Sequence, residues 1–72
     1  MHKENIGTDI HGCTMHLYHS CNMVYCDHIK NDKVARTNKI KVDNDIILMF
    51  SASNTSGAYI YDEIHRRYGK WL

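Results

Sequence analysis

The stretch that decides the fold is residues 14–30, which read TMHLYHSCNMVYCDHIK. Its first six residues alternate, with Met15 and Leu17 on one side and polar or aromatic residues on the other, as in a half-buried β-strand. Residues 20–22 suit a tight connection, after which residues 23–30 continue as a second strand. The pattern therefore predicts an antiparallel hairpin.

The apolar residues of this hairpin predict its register. We expect Leu17 opposite Tyr25, because this pairing places the apolar side chains of both strands on one face. His16 then lies opposite Cys26 on the outer face, which His28 shares. The side chains that this register assigns to the core are Met15, Leu17, Met23, Tyr25 and Ile29.

The pattern extends to both sides of the hairpin. Residues 34–42 alternate after a turn signal at 31–32 and predict a third strand. A second turn signal at 43–45 precedes the apolar run 46–50, which predicts a central strand covered on both faces or by a partner. Residues 1–12 are polar and aperiodic, so we expect a loose N-terminal lead-in.

The last segment changes to a helical period. One helical face carries Ile60, Tyr61, Ile64, Tyr68 and Trp71. Residues 53–57 supply N-cap candidates, and Gly69 supplies a C-cap. The sequence therefore predicts a single α+β domain over residues 13–72: an antiparallel β-meander of three or four strands with one C-terminal α-helix packed on one face (ββββα).

Length and charge restrict the function classes. The 72 residues make one small domain, and a formal net charge of +1 excludes a strongly basic nucleic-acid arm. The apolar run 46–50 is too short to span a bilayer, and no signal-peptide core follows Met1, so we expect a cytoplasmic protein with no membrane partner. Domains of this size often need a metal, disulfides or a partner chain for stability.

A cluster of histidines and cysteines is the candidate metal site. Its proposed ligands are His16, Cys26 and His28, with Cys13 or Cys21 in the fourth position. In the predicted register the first three share one face, and nitrogen and thiolate ligands suit Zn²⁺. The spacing matches no standard zinc motif, so the alternative is a solvated strand face with one buried thiol.

The candidate partner-binding residues are Tyr18, Arg36, Lys39 and Lys41. Lys39 and Lys41 face the same way on the third strand, and Tyr18 is expected on that outer face. Such faces bind RNA or single-stranded DNA through phosphate contacts and base stacking. The alternative is an ordinary solvated face whose lysines protect an edge strand from aggregation.

The sequence carries no catalytic constellation: it has no nucleophile elbow, no P-loop and no convincing carboxylate pair, so we expect no enzyme activity. The leading hypothesis is a non-catalytic interaction protein that binds another protein through a sheet face, a strand edge or the helix. Five Tyr and one Trp support it, because these residue types are enriched in binding hot spots.

Two further expectations accompany this hypothesis. Inhibitors made by phages and mobile elements are proteins of this kind, and the Asn-, Lys- and Ile-rich composition is compatible with such an origin. The apolarity of residues 46–50 on both faces predicts a homodimer, or burial by an obligate partner, through that strand or its neighbours. The alternative function is a metal-stabilised nucleic-acid-binding module.

Overall fold

The computed structural model describes residues 3–52, 54–69 and 71. Within these residues the chain forms a four-stranded antiparallel sheet followed by two helices. The elements, in chain order, are β1 (Glu4–Thr8), β2 (Thr14–Ser20), β3 (Met23–Lys30), β4 (Lys33–Lys41), α1 (Asn44–Ser51) and α2 (Gly57–Tyr68). The strands lie in sequence order across the sheet, so the predicted α+β meander is confirmed, with one helix more than expected.

The β2–β3 hairpin forms as predicted, but its register differs by one residue. Ser20 pairs with Met23, so the turn consists of residues 21–22 alone. Leu17 therefore lies opposite Cys26, one residue away from its predicted partner. The predicted register was wrong because it assumed a three-residue connection, and the length of the loop fixes the register of a hairpin.

This shift exchanges the two faces of β3. Val24 and Cys26 accompany Leu17 into the core, where all three side chains are at most 1% exposed. Tyr25 and Met23 lie on the opposite face, because successive side chains of a strand alternate. The core of the hairpin is therefore built from smaller side chains than the sequence pattern indicated.

β4 follows a two-residue turn at Asn31 and Asp32, whose φ angles are 53° and 64°. Asn and Asp tolerate this left-handed backbone better than most residues, and hairpin turns of two residues require it. The predicted strand 34–42 is confirmed within one residue at each end. The register shifts between His28 and Ile29, which leaves Ala35 as a bulge in β4.

The predicted lead-in contains a strand. Residues 4–8 form β1 and pair with β2, with a bulge between Asn5 and Gly7. Gly7 has a φ of 107°, and its backbone N–H donates to Asn5 Oδ1 at 2.9 Å. The expectation of a loose segment was wrong because β1 has no alternating apolar pattern, and its pairing with β2 decides its conformation instead.

Residues 46–50 form most of helix α1, not a strand. Asp43 caps the helix by accepting a hydrogen bond from the backbone N–H of Ile46 at 3.2 Å. Ile46 is fully buried whereas Leu48 is 65% exposed, so the helix is amphipathic. A short apolar run fits a buried strand or a helix equally well, and the cap decides for the helix here. Residues 46–50 therefore offer no strand for edge-to-edge pairing, and the homodimer stays a prediction.

Helix α2 confirms the predicted C-terminal helix. Ser56 caps its start by accepting from the backbone N–H of Tyr59 at 3.2 Å, and Gly69 ends it with a φ of 77°. The first residue of the helix, Gly57, packs so closely on β1 that an added Cβ would lie 2.6 Å from Glu4 Cβ. Glycine at this position therefore permits the contact between α2 and β1.

The core lies between the two helices and one face of the sheet. Its buried side chains are Leu17, Val24, Cys26, Ile40, Val42, Ile46, Ile60 and Ile64. Because both helices contribute to this cluster, the opposite face of the sheet has no helix over it within the described chain. None of the helices in residues 3–52, 54–69 and 71 is long and apolar enough to cross a lipid bilayer.

Candidate functional site

We call the sheet face opposite the helices the open face. The register and the alternation of side chains assign to it His16, Tyr18, Met23, Tyr25, Asp27, Ile29, Thr37, Lys39 and Lys41. Lys3, which precedes β1, reaches the same face, since its ammonium contacts Tyr18 and Asp27. All four strands therefore contribute to this surface or flank it.

An aromatic pair occupies the centre of the open face. Tyr18 lies directly opposite Tyr25, and their rings stack with centroids 5.2 Å apart and planes 13° from parallel. Lys3 Nζ lies over the Tyr18 ring, 4.7 Å from its centroid, and Lys39 lies opposite Tyr25 in the register of β4. A cross-strand row of cation, two stacked rings and cation thus crosses the sheet.

Asp27, two residues from Tyr25 on the same face of β3, holds two members of this row by hydrogen bonds. Its side chain is buried and accepts hydrogen bonds from Thr37 Oγ1 at 2.7 Å, Tyr18 Oη at 3.0 Å and Lys3 Nζ at 3.3 Å. Burial by itself would raise the pKa of Asp27, but these three hydrogen bonds outweigh it and hold that pKa below its ordinary value. The carboxylate therefore stays ionised and fixes the hydroxyl end of Tyr18.

The pKa of Tyr18 shifts in the opposite direction, upward. Burial raises the pKa of its hydroxyl, and the nearby Asp27 carboxylate raises it further. The hydroxyl therefore keeps its proton and donates to Asp27. The ring is held at its tip by this hydrogen bond and on its flat faces by Lys3 and Tyr25, so it is preorganised in one position.

Two apolar side chains share the open face with the aromatic pair, Met23 next to Tyr25 along β3 and Ile29 beyond Asp27. Met23 and Ile29 are half-buried on the open face, yet neither belongs to the core cluster or to the residues packed against it. Lys39 and Lys41 are exposed at the β4 side of the face. Among the described residues, no carboxylate forms an ion pair with either lysine. The face thus has an apolar, aromatic centre and a cationic rim.

The structure brings together three of the four predicted partner-binding residues. Tyr18, Lys39 and Lys41 lie on the open face, whereas Arg36 pairs with His28 on the helix side of the sheet. Sequence reasoning missed Tyr25, because the predicted register placed it in the core. It also missed Lys3, because no period in the N-terminal segment indicated a strand.

The structure separates the predicted metal ligands. His16 lies on the open face opposite Asp27, whereas Cys26 and His28 lie on the helix side. Of the two candidates for the fourth position, Cys13 is buried before β2 and Cys21 is exposed at the hairpin turn. Within the described residues, no group of three or more His, Cys, Asp or Glu side chains is arranged to hold a metal ion. The zinc prediction therefore has no support from the geometry.

The chemistry of Cys26 agrees with this placement. Its side chain is 1% exposed, and burial raises the pKa of its thiol to about 11, with the Asp27 carboxylate adding to the effect. A thiol must lose its proton to act as a metal ligand or a nucleophile. Cys26 therefore behaves as a small apolar core residue.

A hydrogen-bonded chain on the helix side ties the β1–β2 loop to the sheet. Asp9 Oδ2 accepts from His28 Nδ1 at 2.8 Å, and His28 Nε2 lies 2.7 Å from Asn38 Oδ1. The other oxygen of Asp9 accepts from the backbone N–H groups of His11 and Cys13. The hydrogen bond from His28 is the main reason that the pKa of Asp9 falls to about 2.

A small cavity of about 210 Å³ opens beside this chain. Its lining residues are Asp9, His11, Cys13, His28, Ala35 and Arg36. At roughly 30 Å³ per water molecule, its volume matches one amino-acid side chain better than a whole metabolite. Both ring nitrogens of His28 face hydrogen-bond partners, Asp9 and Asn38, so this side chain ties the cavity wall together.

Comparisons with known proteins add no relative. No protein-family model matches the chain, and neither the curated protein sequences nor the solved structures give a significant match.

Proposed function

We propose that this protein is a non-catalytic binding protein that engages another protein through the open face of its sheet. The observation that carries the proposal is the stacked Tyr18–Tyr25 pair at the centre of that face, with half-buried Met23 two residues away along β3 and exposed lysines at the rim. Protein interfaces have this composition: an aromatic and Met-rich centre that becomes fully buried, surrounded by polar side chains.

The geometry favours a protein over a single-stranded nucleic acid. Base stacking needs an aromatic ring with a free flat face. Both flat faces of Tyr18 are already covered, one by Tyr25 and the other by Lys3, because β1 and β3 lie on opposite sides of β2, so only the outer face of Tyr25 is left for a base. The ionised Asp27 below the pair adds a negative charge where phosphates would approach. The alternative is a nucleic-acid partner, and the capture experiment below distinguishes it from a protein partner by nuclease treatment.

The rim selects the charge of the partner. Lys39 and Lys41 share the open face and have no carboxylate partner among the described residues. An acidic surface opposite them speeds the encounter and fixes the orientation of the complex. The partner is therefore a protein with carboxylates placed around a central apolar contact.

The test compares partner capture by two matched tyrosine variants. Tyr25→Ser removes a ring from the open face without removing a hydrogen bond to Asp27. Tyr59→Ser removes a ring that is 53% exposed on α2 and serves as the control. A source-cell extract is passed over each immobilised variant, the captured protein is identified, and its dissociation constant is measured. Far-ultraviolet circular dichroism checks that both variants are folded.

We expect Tyr25→Ser to weaken binding by about 30-fold, since a hot-spot residue contributes 2 kcal/mol or more. Tyr59→Ser is expected to bind like the unmodified protein. Equal affinity for both variants would overturn the proposal. Loss of the captured partner after nuclease treatment would instead support the nucleic-acid alternative.

A further inference from the structure

The two edges of the sheet differ sharply. β1 is five residues long, carries a bulge and is covered at one point by Gly57 of α2. β4 is nine residues long and almost wholly exposed, and it pairs only with β3 in the described chain. Within the described residues, no backbone hydrogen bond from a loop or helix reaches residues 33–37 or 39–41. β4 carries its own bulge at Ala35, so regular alternation is confined to residues 36–41. Because the backbone N–H of Val42 donates to Asn22 on the β3 side, alternate residues Thr37, Lys39 and Lys41 direct their backbone N–H and C=O groups away from β3, where another strand can pair with them.

The charge of β4 restricts what pairs with it. The strand reads KVARTNKIK, with four cationic side chains and no carboxylate. A second copy of the chain would place like charges beside one another, which destabilises a pair of adjacent strands. None of these cations forms an ion pair with a carboxylate in residues 3–52, 54–69 or 71. An acidic strand is therefore the complementary occupant of this edge.

The two sides of β4 offer different contacts to such a strand. Lys39 and Lys41 lie on the open face, two residues apart, so carboxylates at alternate positions of an added strand come next to them. On the other side, Ala35 and Arg36 line the cavity of about 210 Å³. In strand addition, the backbone gives affinity, and pockets for alternate side chains give specificity.

We infer that β4 binds an extended acidic segment of a partner protein as a fifth strand of the sheet. Glutamate or aspartate at every second position meets the lysines of the open face, and one intervening side chain enters the cavity beside Arg36. This inference rests on the proposed function, because it names how the partner of the open face is held. It adds a contact that the open face alone does not require, namely backbone pairing.

The test uses a synthetic peptide and amide exchange. The probe is a nine-residue capped peptide in which Glu alternates with Val. The control peptide has the same residues but is methylated at every backbone nitrogen, so it keeps the carboxylates and has no N–H to donate. Hydrogen exchange of ¹⁵N-labelled protein is followed by NMR with each peptide, and the amides of β1 serve as an internal reference.

The expected result is protection of the amides of Thr37, Lys39 and Lys41 in β4. At a peptide concentration ten times the dissociation constant, these amides should exchange about tenfold more slowly, with no change in β1. The methylated peptide should give no protection. In the variant K39E/K41E the probe should bind at least about tenfold more weakly, whereas K30E, at the other end of the β3–β4 hairpin, should bind normally.

Three outcomes separate the failure of this inference from the failure of the proposed function. Shifts of the Tyr25 and Lys39 resonances without protection of β4 amides would overturn strand addition and leave the open face as the binding surface. Equal binding of the methylated peptide would likewise reduce the contact to charge attraction and overturn strand addition. Tighter binding of single-stranded oligothymidylate than of the peptide would overturn the assignment of a protein partner itself.

Discussion

Tyr18 and Tyr25 face each other across β2 and β3 with their ring centroids 5.2 Å apart, on the side of the sheet that no helix of the described chain covers. A buried carboxylate, Asp27, holds the tip of Tyr18, and Lys3 covers its outer flat face. This preorganisation reduces the conformational entropy lost on binding, which is why we assign the face to recognition.

Removal of one hydroxyl tests the anchor under the aromatic pair. Tyr18→Phe keeps the stacked ring but removes one donor from the Asp27 carboxylate, so we expect the free energy of unfolding to fall by about 1–2 kcal/mol. Urea denaturation measures this change. Tyr59→Phe, on an exposed ring, is the matched control and should change stability by less than about 0.5 kcal/mol. Equal effects of the two variants would show that Tyr18 does not support Asp27.

The link between Asp9 and His28 predicts a loss of stability in acid. The pKa of Asp9 is about 2 in the folded chain, mainly through its hydrogen bond from His28, and 3.8 is its ordinary value. A lowered folded-state pKa stabilises the protein above the ordinary value and ceases to do so as the pH falls from about 5 towards 2. We measure the free energy of unfolding by denaturation at each pH from 7 to 2. This free energy should fall less steeply with decreasing pH for Asp9→Asn than for the unmodified protein. Parallel curves would contradict this role of Asp9.

The contact between α2 and β1 makes an unusual prediction for a helical glycine. Replacing a glycine by alanine in a helix normally stabilises it by up to about 1 kcal/mol. At Gly57 the added methyl group would lie 2.6 Å from Glu4 Cβ and 3.0 Å from Ile6 Cγ2, so β1 or α2 must move. We therefore expect Gly57→Ala to lower the free energy of unfolding by about 1–3 kcal/mol. An increase in the melting temperature would show that α2 does not pack on β1 in this way.

The regular parts of the fold could be predicted from the sequence, because their patterns are local. The alternation before Ser20 and the face that carries Ile60 and Ile64 identify a strand and a helix without tertiary information. The strand predicted at residues 46–50 was wrong, since a five-residue apolar run has no readable period and fits a strand or a helix equally well. Strand β1 could not be found either, because pairing with β2 creates it.

The candidate site was only partly predictable for a related reason. Tyr18, Lys39 and Lys41 were expected together on one face, and they lie there. Tyr25 was not expected beside them, because one residue of difference in the hairpin turn moves the side chains of β3 to the other face. The same one-residue shift in register places His16 on the opposite face of the sheet from Cys26 and His28, so the three predicted zinc ligands do not lie together.

The three cysteines should differ in reactivity. Cys21 is exposed at the hairpin turn, whereas Cys13 is buried, and burial raises the pKa of Cys26 to about 11. Because the thiolate reacts and the buried thiol does not ionise near neutral pH, iodoacetamide at pH 8 should modify Cys21 first in the folded protein. Mass spectrometry of the peptides measures the order of modification, and denatured protein provides the control with all three sites open. Rapid modification of Cys26 in the folded state would contradict its burial in the core.

The most direct test of the open face as a binding surface is lysine footprinting of the complex. The protein, alone and with its captured partner, is acetylated briefly, and the extent of modification is measured at Lys39, Lys41 and Lys30. We expect modification of Lys39 and Lys41 to slow by about tenfold when the partner is at ten times its dissociation constant, with Lys30 unchanged. Equal rates at Lys39 and Lys41 with and without the partner would contradict binding at the open face.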